Sequence, residues 1–329
     1  MKFENEAKTI VELVGGEKNI NNLVHCATRL RVNVRDLSRV NQDGLKSTKG
    51  VLVGLTRIGD VVGYEIDSTG KKVAVPGRLI YRGYSVEDIV RDTERRHQFG
   101  YEQCVYLLLF GELPTQRQLD EFTSFLGTLR TLPPNFTEDM IMKAPSSDIM
   151  NKIARGVLAS YSYDPDPENR DIANILRQCV ELISRFSTLA AYGYQAKRRY
   201  YDGKSMYIHN PVPTLSTAEN FLRLIRSDKS YTRLEAEVLD LALILHAEHG
   251  GGNNSSLTIH VVSSADTDTY SAVAAAVGSL KGRRHGGANI RVIEMMDDIK
   301  AHVNDWSDEN EIAEYLQELR DNNVDTLIL

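Results

Sequence analysis

The 329 residues (36.9 kDa) exceed the roughly 250–300 at which a single core stops growing, so two domains or one large one are expected, and 42% hydrophobic against 26% charged residues exclude a disordered chain. A formal charge of −6, from 39 basic and 45 acidic side chains, speaks against a general nucleic-acid surface while leaving room for a local anion site. Three cysteines without paired spacing (Cys26, Cys104 and Cys179), the lack of any apolar run near the roughly 20 residues that span a bilayer, and a charged start without a signal-peptide core predict a cytoplasmic chain with neither disulfide framework, structural zinc nor membrane insertion.

Charge divides unevenly along the chain. Residues 1–50 hold nine Lys/Arg against six Asp/Glu, whereas the remainder holds 30 against 39. The first fifty residues predict a helix over 4–13, a stop at Gly15-Gly16, and short strands around Leu23-Val24 and Leu30 to Val34, a small α/β pattern. Two β-branched runs flanking Gly59-Asp60 predict a hairpin within 50–66. From Ser85 onward apolar residues recur at helical spacing, with breaks at Pro114, Pro133-Pro134, Asp164 to Pro167 and Pro211 to Pro213. Leu234, Val238, Leu241, Ala242 and Leu245 share one face of a helix predicted to stop at Gly250-Gly251-Gly252. Asp268, Asn289 and Ser307 or Asp308 are the predicted N-caps of three further helices. The bulk of the chain therefore reads as all-helical.

Four of the eight histidines, His246, His249, His260 and His285, fall within forty residues. His249 stands in His246-Ala-Glu-His249-Gly-Gly-Gly-Asn253, where glycines let backbone approach a ligand. His285 stands in Lys281-Gly282-Arg283-Arg284-His285-Gly286-Gly287, between a helix end and a helix start, where two arginines and exposed N–H groups favour a phosphate or carboxylate. The alternative is that these glycines merely end helices and the histidines bond local backbone. His246 and His249 at i, i+3 differ from a His-Glu-x-x-His zinc pair and no third ligand is indicated, so no metal site is assigned. Neither glycine stretch matches a dinucleotide fingerprint or a Walker loop.

Gly77 to Tyr84 with Glu87-Asp88, Tyr106 to Pro114, His246 to Asn253 and Tyr270 to Asn289, in this order and spacing, resemble citrate synthase over residues 51–317. The resemblance implies a mainly α, multi-helical fold with a large domain and an incomplete small domain, a homodimer, and condensation of acetyl-CoA with oxaloacetate to citrate and CoA. Acetyl-CoA would be a substrate, with no permanently bound cofactor. His249 would donate a hydrogen bond to the thioester oxygen during enolisation, and His285 would polarise and protonate the ketone. Lys281, Gly282, Arg283 and Arg284 match the segment that recognises coenzyme A, largely through backbone. The family's third catalytic group, an Asp acting as base on the methyl, lies in a Gly-His-x-Val-Tyr…Asp-Pro-Arg motif that does not occur in these 329 residues. Positioned proton transfer contributes about 10²–10⁴-fold, so normal turnover is not expected without it.

Before the seam at about residue 50, Gly15 to Ile20, His25-Cys26-Ala27-Thr28-Arg29-Leu30-Arg31 and Asp36 resemble the start of the IIB domain of sugar phosphotransferase systems. That resemblance implies that Cys26 accepts a phosphoryl group from a IIA donor, with Arg29 and Arg31 favouring thiolate and adduct. The expected division is thus a partial IIB-like segment over 1–50, a citrate-synthase-like helical region over 51–317, and an unmatched tail over 318–329. Cys104, on an apolar helix face, is expected in the core, and the basic runs 91–96 and 197–199 on solvated faces.

Overall fold

The computed structural model describes residues 4–26, 29–41, 44–45, 58–66, 72–248 and 253–321. It divides into two compact units, one comprising Met1–Leu132, Val180–Ala191 and Tyr207–Leu257, the other Pro133–Cys179, Tyr192–Met206 and Thr258–Leu329. Helices dominate both. Among the described residues no helix is long and apolar enough to cross a membrane.

The first unit begins with α1 (Glu4–Leu13), stopped as expected by Gly15 and Gly16 at φ 92° and 84°, a region that costs glycine little. Two antiparallel strands follow, β1 (Ile20–Cys26) and β2 (Arg29–Val34), in a register that puts Cys26 opposite Arg29. Buried Asn19 ties this segment together: its amide donates to the carbonyls of Val14 and Asp36 at 2.7 and 2.8 Å, and its oxygen accepts from the Asp36 N–H at 2.9 Å.

The predicted 50–66 hairpin is instead formed one strand later. β3 (Gly59–Ile66) pairs with β4 (Lys72–Tyr81), which turns at Arg82-Gly83 into the two-residue β5 (Tyr84–Ser85). Gly59-Asp60 opens the strand rather than breaking it, because Gly59 pairs with Tyr81 and Asp60 with Ile80. Residues 51–57 lie outside the described part of the chain.

Helices then take over, as the spacing predicts: α2 (Val86–Arg96), α3 (Tyr101–Phe110), α4 (Gln116–Leu129), and, beyond the second unit's first stretch, α7 (Thr217–Ile225) and α8 (Arg233–His246). Gly111 at φ 86° closes α3, and capping boxes at Thr115, Ser216 and Thr232 open α4, α7 and α8. Tyr81, Val86, Ile89, Cys104, Leu107 and Ile244 form a buried cluster, so Cys104 is the core residue its helix face predicted, and burial pushes its thiol up to about 12. In the basic run 91–96, Arg91 and Arg95 face solvent, ion-paired to acids of their own helix, whereas Arg96 is half-buried and donates to Gln103 at 2.6 Å.

Beside that cluster sits a charged bolt. Arg130 and Glu102 are 1% and 3% exposed and pair at 3.4 Å. Arg130 also donates to the carbonyls of Leu215 and Val212, while Glu102 accepts from the N–H and hydroxyl of Thr217 at 2.7 and 2.8 Å. Burial pulls the guanidinium below its ordinary range, and Glu102 and Glu219 oppose that pull.

The second unit contains a π-helical turn (Thr137–Met142), α5 (Ile149–Ser160), both ends of the long helix α6 (Ile172–Tyr200), α10 (Thr269–Lys281), α11 (Gly287–His302) and α12 (Glu309–Asp321). α9 (Asn254–Ser263) begins at the end of the first unit and continues into the second. α5 packs along α10, burying Ile153 and Val157 of one helix and Ala272, Ala276 and Val277 of the other. Asp268 caps α10 by accepting from the Ser271 N–H at 2.8 Å, as predicted. Buried Asp164 gathers Arg177, the Tyr270 hydroxyl and Gln178 at 2.7, 2.6 and 2.9 Å. Lys152, also buried, donates to the carbonyls of Met140 and Ala144, and its burial pulls the amine down to about 8.

Candidate active-site elements

In the first unit the relevant element is the end of α8. The helix stops at His246, four residues before the glycines that were expected to end it. His246 turns its Nδ1 back to the Ala242 carbonyl at 2.7 Å, a local helix-end contact. The Tyr81 hydroxyl reaches the chain just beyond: it lies 2.8 Å from the Ile244 carbonyl and accepts from the Glu248 N–H at 3.3 Å. His249 and Gly250 to Gly252 lie outside the described residues. The chain resumes at Asn253, whose side chain accepts from the Ser256 N–H at 2.8 Å and so opens α9.

The apolar face predicted for α8 is present but points outward. Leu234 and Val238 are 68% and 59% exposed, and the buried line is Ala236, Asp240 and Ile244. α8 is apolar on more than one side, so periodicity alone did not choose the face; the buried side carries Asp240, which bonds the start of α3, and Ile244, which packs in the Tyr81 cluster. Asp240 accepts the N–H groups of Gly100 and Tyr101 at 2.7 and 3.2 Å, capping α3 from another helix. Burial nevertheless dominates, and with Glu102 nearby it pushes the Asp240 carboxyl from 3.8 up to about 6, against the pull of the two N–H groups and Arg233. A carboxyl that binds its proton more tightly folded than unfolded favours the fold at low pH, and that contribution fades as pH rises from about 4 through about 6. Between pH 4 and 7, Asp240→Asn should therefore gain on the unmodified chain by an amount on the order of 2–3 kcal/mol, measured by urea unfolding across that range.

In the second unit the relevant element is the turn between α10 and α11. The N–H groups of His285 and Gly286 both donate to the Gly282 carbonyl at 2.9 Å, folding 282–286 back over the last turn of α10. A Cβ at Gly286 would overlap the Leu280 carbonyl oxygen, so glycine is required there by contact. His285 is half-buried, whereas Arg283 and Arg284 are exposed. Lys281 pairs with Asp148, the N-cap of α5, at 3.2 Å. Burial raises the Asp148 carboxyl, but the Asn151 N–H and the Lys281 ammonium outweigh it and hold the group below its usual range. α11 starts at Gly287 with Gly286 as N-cap, so Asn289 falls inside the first turn and is not the predicted cap. Among the described residues no three His, Cys, Asp or Glu side chains gather as a metal-ion site would require.

The structure thus places Lys281, Gly282, Arg283, Arg284 and His285 on one short turn, as the sequence predicts. Cys26 ends β1, opposite Arg29. Tyr81 and Asp240 were not singled out from sequence. Their signals were present, a tyrosine within the Gly77 to Tyr84 string and an acid inside an apolar helix.

Residues 44–328 match the family described as citrate synthase, C-terminal domain, a match that takes in the residues after 317. The chain belongs to the citrate synthase family. Residues 8–41 match the family described as phosphotransferase system, EIIB. The citrate synthase of Haloferax volcanii is 34% identical over 228 residues, 68% of this chain and 56% of that protein. A 2-methylcitrate synthase of Corynebacterium glutamicum is 34% identical over 246 residues, 73% of this chain and 61% of its own. The chain therefore spans little more than half the length of these curated relatives. Among solved structures, the citrate synthase of Pyrobaculum aerophilum superposes with a TM-score of 0.63 at 27% identity, covering 87% of this chain and 66% of its own. That of Thermoplasma acidophilum, a ternary complex with carboxymethyl coenzyme A and oxaloacetate, gives 0.62 at 25%, covering 84% and 64%. The multi-helical citrate synthase fold expected from the sequence is thereby established.

Proposed function

We propose that the chain carries citrate-synthase-type chemistry, the condensation of acetyl-CoA with oxaloacetate to citrate and CoA. The observation that carries this reading is the family match over 44–328, joined to fold likeness with a citrate synthase that holds a coenzyme A analogue and oxaloacetate. In this reading His249 donates to the thioester oxygen as the enolate forms, and His285 donates to the ketone oxygen as the new carbon–carbon bond forms. The turn Lys281 to Arg284 meets coenzyme A. The exposed Lys281–Asp148 pair is worth no more than about 1 kcal/mol, so a phosphate competes for that ammonium at little cost. Acetyl-CoA enters and leaves as substrate, and the functional form is a homodimer. The chain contains no Gly-His-x-Val-Tyr…Asp-Pro-Arg motif, so the base on the methyl is the role left unassigned.

The test is release of free CoA by the 329-residue chain given both substrates. Release that needs oxaloacetate and falls at least about 10²-fold in His285→Ala supports the reading. A well-folded chain that releases none overturns it.

A second reading has its own support. The EIIB match over 8–41 adjoins the citrate synthase match from 44, which supports two segments joined in one chain, and Cys26 stands opposite Arg29 across the β1–β2 ladder. Under it, Cys26 takes a phosphoryl group from a phosphorylated IIA donor. Intact-mass analysis after incubation with such a donor would show a single phosphoryl adduct that Cys26→Ser abolishes; no adduct removes the reading.

A further inference from the structure

Tyr81 closes β4, and its backbone is anchored on both sides. It pairs with Gly59 in β3 and with Tyr84 in β5, and the next residue, Arg82, donates its N–H to the Ile58 carbonyl at 2.7 Å and its guanidinium to the Leu108 carbonyl at 2.9 Å. The ring is fully buried among Val86, Ile89, Cys104, Leu107 and Ile244, so it has one place to stand. From there its hydroxyl arrives at the end of α8, 163 residues later in sequence, where helix carbonyls lose their intrahelical donors. The hydroxyl donates to the Ile244 carbonyl at 2.8 Å, with those of Leu245 and Glu248 at 3.3 Å, and accepts from the Glu248 N–H. Gly59 adds a second restraint, since a Cβ there would come within 2.6 Å of Glu248 Cγ, so the β3–β4 hairpin lies directly against this residue. Burial pushes the phenol up to about 12, and it keeps its proton, as donor and acceptor together, at any working pH.

The geometry points to Tyr81 as a positioning residue for the reaction: its hydroxyl fixes the Ile244 to Glu248 turn, the backbone from which His249 follows by one peptide bond. The inference rests on the citrate-synthase-type reading, in which His249 is the thioester donor. Small misplacements of such a group cost rate more than binding, because a donor aimed at the transition state contributes little to the ground-state complex.

Tyr81→Phe keeps the ring and removes the hydroxyl. In the full chain we expect kcat for CoA release to fall about tenfold or more, with KM for both substrates within about twofold. Deuterium uptake should rise in 244–248 while segments of α2 and α3 that pack on the ring exchange as before. Unchanged kcat in an active chain, unchanged exchange at 244–248, or a uniform rise across the hairpin, α2 and α3 overturns the assignment. If the unmodified chain releases no CoA, the condensation reading fails by itself and the exchange comparison alone decides the role of Tyr81. If Tyr81→Phe does not fold, amide-resolved exchange of the unmodified chain decides: a Glu248 amide protected more than about tenfold relative to a free peptide supports the tether, and one exchanging at the free-peptide rate overturns it.

Discussion

Arg130→Met should destabilise the fold by about 3–5 kcal/mol, because it leaves the Glu102 carboxylate buried without its cation. Four groups lose a partner at once: Glu102 loses its counter-charge, and the carbonyls of Leu215 and Val212 and the Thr217 hydroxyl oxygen lose a donor. The Thr217 N–H and hydroxyl still hold Glu102, which keeps the loss from being larger. The double variant Arg130→Met/Glu102→Gln should recover part of the deficit, since a neutral amide is far cheaper to bury than an unpaired carboxylate. Urea unfolding of the two single variants and the double closes the cycle; equal stabilities for Arg130→Met and the unmodified chain would mean that the pair is solvated in solution.

Under the condensation reading proposed above, Gly286→Ala should lower oxaloacetate-dependent CoA release by about 10²-fold while the helices of both units persist. The added methyl would overlap the Leu280 carbonyl oxygen, and backbone cannot yield as a flexible side chain can. The turn must therefore open, breaking the bonds from the His285 and Gly286 N–H groups to the Gly282 carbonyl and carrying His285 with it. Steady-state rates beside far-ultraviolet circular dichroism check this outcome. A fully active Gly286→Ala chain would show that His285 does not depend on the closed turn. The contrast with Gly287 is a useful control, since a Cβ there meets nothing within 4 Å.

Much of this arrangement was legible in the residues. α1 over Glu4–Leu13, its glycine stop, the paired strands around Cys26 and the cap at Asp268 follow local rules, and local rules are what one sequence carries well. The 282–286 turn was legible because its glycines and arginines are contiguous. What was not legible depends on partners far away in the chain. The hairpin expected within 50–66 pairs across 59–81, where the second strand lies beyond the run that the sequence singled out. The outward face of α8 could not be foreseen, since Leu234, Val238, Leu241 and Leu245 make the more regular stripe, and the contacts that turn it outward, those of Asp240 with Gly100 and Tyr101 and of Ile244 with Tyr81, come from far away in the chain. Tyr81 escaped notice for the same reason: a tyrosine at the end of a strand gains meaning only from the helix terminus it meets.

The first unit is assembled from three stretches, and its last, Tyr207–Leu257, contains the Asp240 and Ile244 that the earlier ones bind. During synthesis at about 5–20 residues per second, Tyr81 and the α3 N-terminus must wait several seconds or more for these partners to leave the ribosome. The first unit's sequence is complete only at Leu257, after two stretches of the second have already been made, since the sequences of both are interleaved. The nascent chain thus holds an incomplete apolar cluster until Ile244 has emerged. For the same reason no single cut separates one unit from the other, and gene truncation between residues 132 and 257 deprives the first unit of part of its own core.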